Sequence, residues 1–193
     1  MAGPTGALNS SGGGLMTSAE LVTTIRTIPD FPKPGILFRD ITSLLANGPA
    51  MTAAIAQLVD LAKASGAELI AAVEARGFIF GAPLAAQLGL GLLPLRKPGK
   101  LPVPTIGIDY ALEYGSARIE LDPSLIRPGQ SILLIDDLIA TGGTAMAGVN
   151  LLRQAGARVD HALFVIDLPD LGGADELRKA GLKVDSLLSF PGH

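Results

Sequence analysis

The sequence predicts an α/β fold: a mostly parallel, twisted sheet flanked by helices. Three observations predict it. Four short apolar runs, ELIAAV (68–73), GLLPLR (91–96), SILLID (131–136) and RVDHALFVID (158–167), have the length and composition of buried strands. Stretches with helical spacing, about a dozen residues each, lie between or beside them. At 193 residues, 48% hydrophobic and only 17% charged, the chain can bury one full core. Strands alternating with helices form a parallel sheet covered on both faces. There is no internal repeat.

Taken in order, residues 1–17 (MAGPTGALNSSGGGLMT) are rich in Gly, Ser and Ala without periodicity and read as a disordered leader. Residues 18–193 read as a single domain, opening with Ser18 as N-cap of a helix through Ile28. The stretch IPDFPKPGILFRDI carries three prolines and reads as a shaped loop. Met51, Ile55, Leu58, Val59 and Leu61 mark a helix over 49–66, ended by Gly66. ELIAAV is a strand, FIFGAPLAAQLG (78–89) a helix despite its proline, and GLLPLR a second strand. KPGKLPVPT (97–105) is a polar, broken loop. IGIDYALEYGSARIEL (106–121) reads as a small lid hairpin around Tyr114-Gly115. SILLID is a strand, 144–155 a helix with Gly156 beyond its end, and RVDHALFVID another strand. A short helix (175–180) and KVDSLL (183–188) close the chain.

Composition narrows the function. With no cysteine there are no disulfides or thiolate metal sites, which is compatible with the cytoplasm. The N-terminus lacks a secretory segment, and Gly, Pro or charge interrupts every apolar run, so no membrane association is expected. A net charge of -3 without a basic tract argues against nucleic acid, and six Phe, two Tyr and no Trp make a base-stacking platform an unsuitable reading.

The chemistry concentrates in SILLIDDLIATGGTA. Ligands of an open parallel sheet bind at the carboxyl ends of its strands, where Asp136 and Asp137 are expected to sit. The next loop, Ala140-Thr141-Gly142-Gly143-Thr144, has small side chains that let backbone approach a ligand, and it opens a helix. A helix N-terminus offers unpaired N–H groups and partial positive charge to a phosphate. The acids would repel phosphate but accept hydrogen bonds from sugar hydroxyls, or lie near a metal ion. A ribose 5-phosphate satisfies both halves. The stretch lacks the Gly-Lys-Ser/Thr ending of a Walker loop and is not Gly-x-Gly-x-x-Gly.

LLIDDLIATGGTA resembles the signature of type I phosphoribosyltransferases that binds 5-phosphoribosyl 1-pyrophosphate (PRPP). FPKPGILFRDITSLL, VEARGFIFGAPLA, LRKPGKLP and YALEYG further resemble the adenine phosphoribosyltransferases, in register from Glu20 to Leu188. The resemblance implies the type I phosphoribosyltransferase fold with a hood or lid hairpin. It also implies transfer of ribose 5-phosphate from PRPP to N9 of adenine, giving AMP and pyrophosphate with Mg²⁺. On it, Asp136 and Asp137 hold the ribose hydroxyls, and Ala140, Thr141, Gly142, Gly143 and Thr144 hold the 5-phosphate. Glu74, Ala75 and Arg76 form the pyrophosphate loop, with an unusual, often cis, peptide at Glu74–Ala75. Arg96, Lys97 and Lys100 add cations toward pyrophosphate, although Lys100 also reads as a solvated lysine. That loop can be completed by a second subunit of a homodimer.

For the base, the resemblance implies backbone recognition near Ile36 and Leu37, with Phe38 and Arg39 beside it and Leu168 as the opposite wall. Phe38 alone would equally suit a core aromatic. Glu113 is the lid glutamate that assists proton transfer, with Tyr110 and Tyr114 excluding water; a solvated hairpin-tip charge is the alternative for Glu113. Together with Glu113, Arg76 and Asp137 are the expected catalytic residues. Relatives acting on 6-oxopurines carry an acid where this chain has Ala140. No protein residue is expected to bind metal directly, since Mg²⁺ enters largely on PRPP oxygens and water. His161 and His193 have no partner at ligand spacing. Asp167 departs from the family's commoner glutamate. Two rival readings remain at this level: a transferase for another purine such as xanthine, and a PRPP-sensing regulator without turnover.

Overall fold

The computed structural model describes residues 15–111 and 115–191, so Glu113, Tyr114, His193 and most of the leader lie outside the described residues. Thr17, rather than Ser18, caps the first helix, α1 (Ser18–Val22), in a reciprocal capping box with Glu20. The Met16 carbonyl accepts a hydrogen bond from Gln57 Nε2, so the chain is tied to the fold from Met16 onward. The expected helix to Ile28 stops at Val22. Thr23 and Thr24 turn their hydroxyls back onto the Glu20 and Leu21 carbonyls, competing with continued helix.

The proline-rich stretch is more regular than a loop. β1 (Arg26–Pro29) pairs antiparallel with β2 (Leu37–Asp40), placing Ile28 opposite Phe38. Between them Asp30 adopts φ 58, its carboxylate accepts the Gly35 N–H at 2.7 Å, and the Phe31–Pro32 peptide is cis. A single turn, α2 (Thr42–Leu45), leads to α3 (Gly48–Lys63), which Asn47 caps through the Ala50 N–H.

β3 (Leu69–Val73), α4 (Arg76–Leu88) and β4 (Gly91–Leu95) follow, then the hairpin arms β5 (Ile106–Ala111) and β6 (Ser116–Leu121). β7 (Ser131–Ile139), α5 (Gly143–Gln154), β8 (Arg158–Asp167), α6 (Gly173–Lys179) and β9 (Lys183–Ser189) complete the order. α6 thus begins two residues before the expected 175.

The main sheet is parallel throughout, in the order β4-β3-β7-β8-β9, while the hairpin and the β1–β2 ribbon are separate. One face buries Leu21, Leu58, Phe80 and Leu84 from α1, α3 and α4; the other buries Val149 and Leu152 of α5, Leu177 of α6 and Ile119 and Leu121 of the hairpin. At roughly 25 cal/mol per Å² of apolar surface, these two interfaces dominate stability. Close approach of α4 to the sheet requires Gly81, whose added Cβ would lie 2.7 Å from that of Ala72. No helix among the described residues is long and apolar enough to cross a membrane.

From β3 the chain moves outward to β4 and then returns to β7 on the other side. The point where the order reverses lies between β3 and β7, where open sheets form crevices. β7 does not end at its acids, as the sequence suggested. Its ladder with β3 stops at Ile135, opposite Ala72, but its ladder with β8 continues to Ile139, opposite Asp167. Asp136 and Asp137 therefore lose a neighbour on one side only, and the gap opens there.

Candidate active site

A cleft of about 650 Å³ covers that gap. Its polar floor is Asp136 and Asp137, one end is the 140–144 loop, and Arg76 overhangs it from the first turn of α4. The opposite wall is apolar: Ile36, Leu37 and Phe38 from the ribbon, Leu168 and Leu171 from beyond β8. Arg39 completes that side.

The floor is electrostatically loaded. Asp137 is buried, and its Oδ2 lies 2.7 Å from Arg76 Nε. The Asp137 N–H donates to Asp136 Oδ1 at 2.8 Å. Burial, then the like charge of Asp137, pushes the Asp136 carboxyl well above the usual carboxylate range. Burial also raises Asp137, against the pull of Arg76. Gly77 allows α4 to start this close: a Cβ there would meet Asp136 Oδ1 and the Ile135 carbonyl, each at 3.0 Å.

Beyond the acids the chain turns through Gly142 at φ 83, a left-handed conformation that suits glycine, into α5. No side chain caps this helix, so its first N–H groups face the cleft without a competing partner from a capping residue. A phosphate suits such a terminus.

The Glu74–Ala75 peptide is cis, the geometry implied for that position. The Glu74 side chain, however, serves the neighbouring loop: its Oε2 accepts from Arg96 Nε at 2.9 Å and from the Lys97 N–H at 2.8 Å. Burial pushes this carboxyl up, but the Lys97 N–H and the Arg96 guanidinium outweigh it and hold it below its usual value. Arg96 also lies over the Phe78 ring, 5.8 Å from its centroid.

Among the expected site residues, Arg76, the two acids, the 140–144 loop, the Ile36–Arg39 segment and Leu168 all line the cleft. Glu74, Ala75, Arg96, Lys97 and Lys100 do not line it, and Lys97 and Lys100 are exposed. Tyr110 is half-buried against the hairpin-side core, while the next residue, Ala111, reaches the cleft. Phe38 is half-buried in the cleft wall and meets Phe31 edge-on at 5.1 Å, so it is not a core aromatic. Arg39 donates to Thr27 Oγ1 at 2.6 Å and to the Pro191 carbonyl at 3.0 Å, and lies over Phe190. It thereby fastens the segment after β9 to the ribbon.

Sequence reasoning missed Pro32, Ala111, Leu138, Ile139, Ala145 and Leu171 as lining residues. The Leu171-Gly172-Gly173 turn was the available signal for the last. His161, without a visible partner in the sequence, is buried and hydrogen-bonds Asp185 on β9 at 2.8 Å, away from the cleft.

Comparison with known proteins agrees in fold and in sequence. Residues 40–185 match the model of the phosphoribosyl transferase domain family. An adenine phosphoribosyltransferase of Novosphingobium aromaticivorans is 63% identical over 178 residues, 92% of this chain and 100% of that protein. One from Erythrobacter litoralis is 62% identical over the same shares. The crystal structure of adenine phosphoribosyltransferase from Thermoanaerobacter pseudethanolicus superposes with a TM-score of 0.85 at 44% identity, covering 90% of this chain and 100% of that one. The Saccharomyces cerevisiae enzyme, crystallised with an imino-altritol bisphosphate and adenine, gives 0.81 at 35% identity, covering 89% and 98%.

Proposed function

Because this chain belongs to the phosphoribosyltransferase family, and within it to the adenine phosphoribosyltransferases, we propose that it makes AMP and pyrophosphate from adenine and PRPP. One observation carries the reading: an acid pair, Asp137 buried and Asp136 half-buried, and an uncapped, glycine-turned helix start face the same cleft, opposite an apolar wall. A phosphorylated sugar needs the first two features, and a flat purine needs the third.

In this reading the 140–144 loop donates backbone N–H groups to the 5-phosphate, with the hydroxyls of Thr141 and Thr144 beside them. Each charge-assisted bond contributes roughly 1.5–3 kcal/mol. Asp136 and Asp137 accept from the ribose hydroxyls. N9 of adenine attacks C1′ as the C1′–pyrophosphate bond breaks, so positive charge builds on the ribose ring while negative charge leaves. Arg76 stands where it can meet that departing charge, and the amides about the Glu74–Ala75 bond add to it. The N9 proton must leave, and we assign the lid's Glu113 to assist that proton transfer through contact with N7, with Tyr110 and Tyr114 helping to exclude water.

Arg96, Lys97 and Lys100 lie outside the cleft of their own subunit, which fits a homodimer in which this loop serves the partner's pyrophosphate. Exposed Ile79 on α4 and Val103 in the loop offer apolar surface for such a contact. Among the described residues no three carboxylate or imidazole groups converge as a metal cage. The donor set fits Mg²⁺ carried on PRPP oxygens and water, where it would neutralise the leaving group. PRPP and AMP, being multiply charged, do not cross membranes unaided, so the reading places the enzyme in the cytoplasm.

The test is pyrophosphate release from PRPP and Mg²⁺ with adenine, hypoxanthine, guanine and xanthine supplied separately. Turnover with adenine alone is expected. Turnover with an oxopurine would keep the PRPP site and overturn the base pocket.

A further inference from the structure

We infer that Gly173, at the start of α6 and outside the cleft lining, is the positioning residue for the 140–144 phosphate loop, an inference that rests on the phosphate role proposed above. Contact between the two segments is backbone on backbone. The Gly173 N–H donates to the Ala140 carbonyl at 2.9 Å. A Cβ on Gly173 would stand 2.3 Å from that same oxygen, 2.5 Å from the Gly142 nitrogen and 2.8 Å from the Thr141 carbonyl carbon. Conversely, a Cβ on Gly142 would lie 3.0 Å from Gly173 Cα and its oxygen. No other residue type fits at 173 without moving the loop, because backbone cannot swing aside as a side-chain end can.

The hydrogen bond has a chemical consequence. A loop that binds phosphate must present N–H groups and keep its carbonyl oxygens turned elsewhere, since a free acceptor beside an anion is repulsive. Gly173 engages the Ala140 carbonyl and so holds the loop in its donating orientation. On the far side, a Cβ on Gly143 would come within 3.2 Å of the Ala111 carbonyl, where the first lid arm ends. The loop is thus held between the lid's base and the α6 turn.

Neighbouring Gly172 supplies the control. It adopts φ 76, so substitution there strains the backbone, but its added Cβ would meet nothing within 4 Å. Gly172→Ala perturbs the turn without entering the loop.

Ribose 5-phosphate binding by calorimetry and steady-state kinetics would be measured on the wild-type protein, Gly173→Ala and Gly172→Ala. The wild type is expected to bind. Gly173→Ala is expected to weaken ribose 5-phosphate and raise the PRPP KM by about tenfold or more, with the adenine KM within about twofold. Gly172→Ala should hold ribose 5-phosphate near wild-type affinity while losing thermal stability. Unchanged binding in Gly173→Ala, or equal losses for both substrates, would overturn the inference and leave the proposed function standing. A wild-type protein that fails to bind ribose 5-phosphate would remove the phosphate reading itself and this inference with it. Should Gly173→Ala not fold, hydrogen exchange on the wild type decides: ribose 5-phosphate should slow the Gly173 amide together with Gly142 and Gly143, and an unresponsive Gly173 overturns the proposal.

Discussion

Arg76 Nε lies 2.7 Å from Asp137 Oδ2, joining the first turn of α4 to the strand beneath it; the arginine side chain is 53% exposed and the aspartate 5%. The pair is asymmetric: the acid depends on the base more than the reverse. Asp137 has been taken out of water, whereas Arg76 keeps half its surface free to meet a second anion.

Arg76→Ala therefore acts in two ways. Stripping the buried carboxylate of its partner should cost about 1–2 kcal/mol of stability, less than for a fully buried pair because solvent reaches the arginine. The larger effect is kinetic, with kcat/KM for PRPP falling about 10²-fold. Urea denaturation and initial rates measure the two separately. A stability loss with unchanged rates would make Arg76 a structural partner only.

Asp136→Asn should stabilise the free protein at neutral pH while impairing PRPP use. The Asp136 carboxyl titrates well above its ordinary value in the fold because of burial and then Asp137. The folded state accordingly holds its proton over a range where the unfolded chain has lost it. Stability falls as pH rises from about 4 through the raised value, and the penalty is complete beyond it. The asparagine keeps an acceptor for the Asp137 N–H and carries no charge. Melting temperature should rise by roughly 2–4 °C at pH 8, with the gain shrinking toward pH 4. A lower melting temperature at pH 8 would contradict this account.

Glu74→Gln should loosen the cationic loop. The wild-type carboxyl is held below its ordinary value, the Lys97 N–H and Arg96 overcoming the opposing effect of burial. Its contribution to stability is therefore present above about pH 4 and is lost as pH falls through the lower folded value. The glutamine should flatten that acid limb and raise the PRPP KM by about tenfold, with little change for adenine. Equal loss of both substrates would mean that Glu74 does not act through Arg96 and Lys97.

Glu113→Gln tests the lid. If this glutamate assists proton transfer from the base, kcat should fall about 10²-fold and further than the adenine KM rises. A rise in KM with kcat intact would assign it to binding alone.

Much of this protein is legible in its sequence because its elements are strongly patterned. The apolar runs of β3, β4 and β8, and the turn at Gly142 into α5, follow from hydrophobic spacing and from which residues tolerate φ > 0. Adjacent acids followed by small residues likewise point to a phosphorylated sugar, since the chemistry of the stretch is local. The β1–β2 ribbon was less visible, because three prolines mask a pairing between residues well separated in sequence, such as Ile28 with Phe38.

Tertiary structure alone decided the rest. That Glu74 turns its carboxylate to Arg96 and Lys97, that Arg39 grips the Pro191 carbonyl, and that His161 finds Asp185 are all side-chain pairings across separate elements. No periodicity encodes them. Gly173 is the sharpest instance: its sequence neighbourhood suggests a turn, but its 2.3 Å conflict with the Ala140 oxygen arises only where the turn before α6 packs against the loop after β7. Local pattern sets what each segment is, because propensity and burial act residue by residue; packing sets which atoms meet, because that depends on every segment at once.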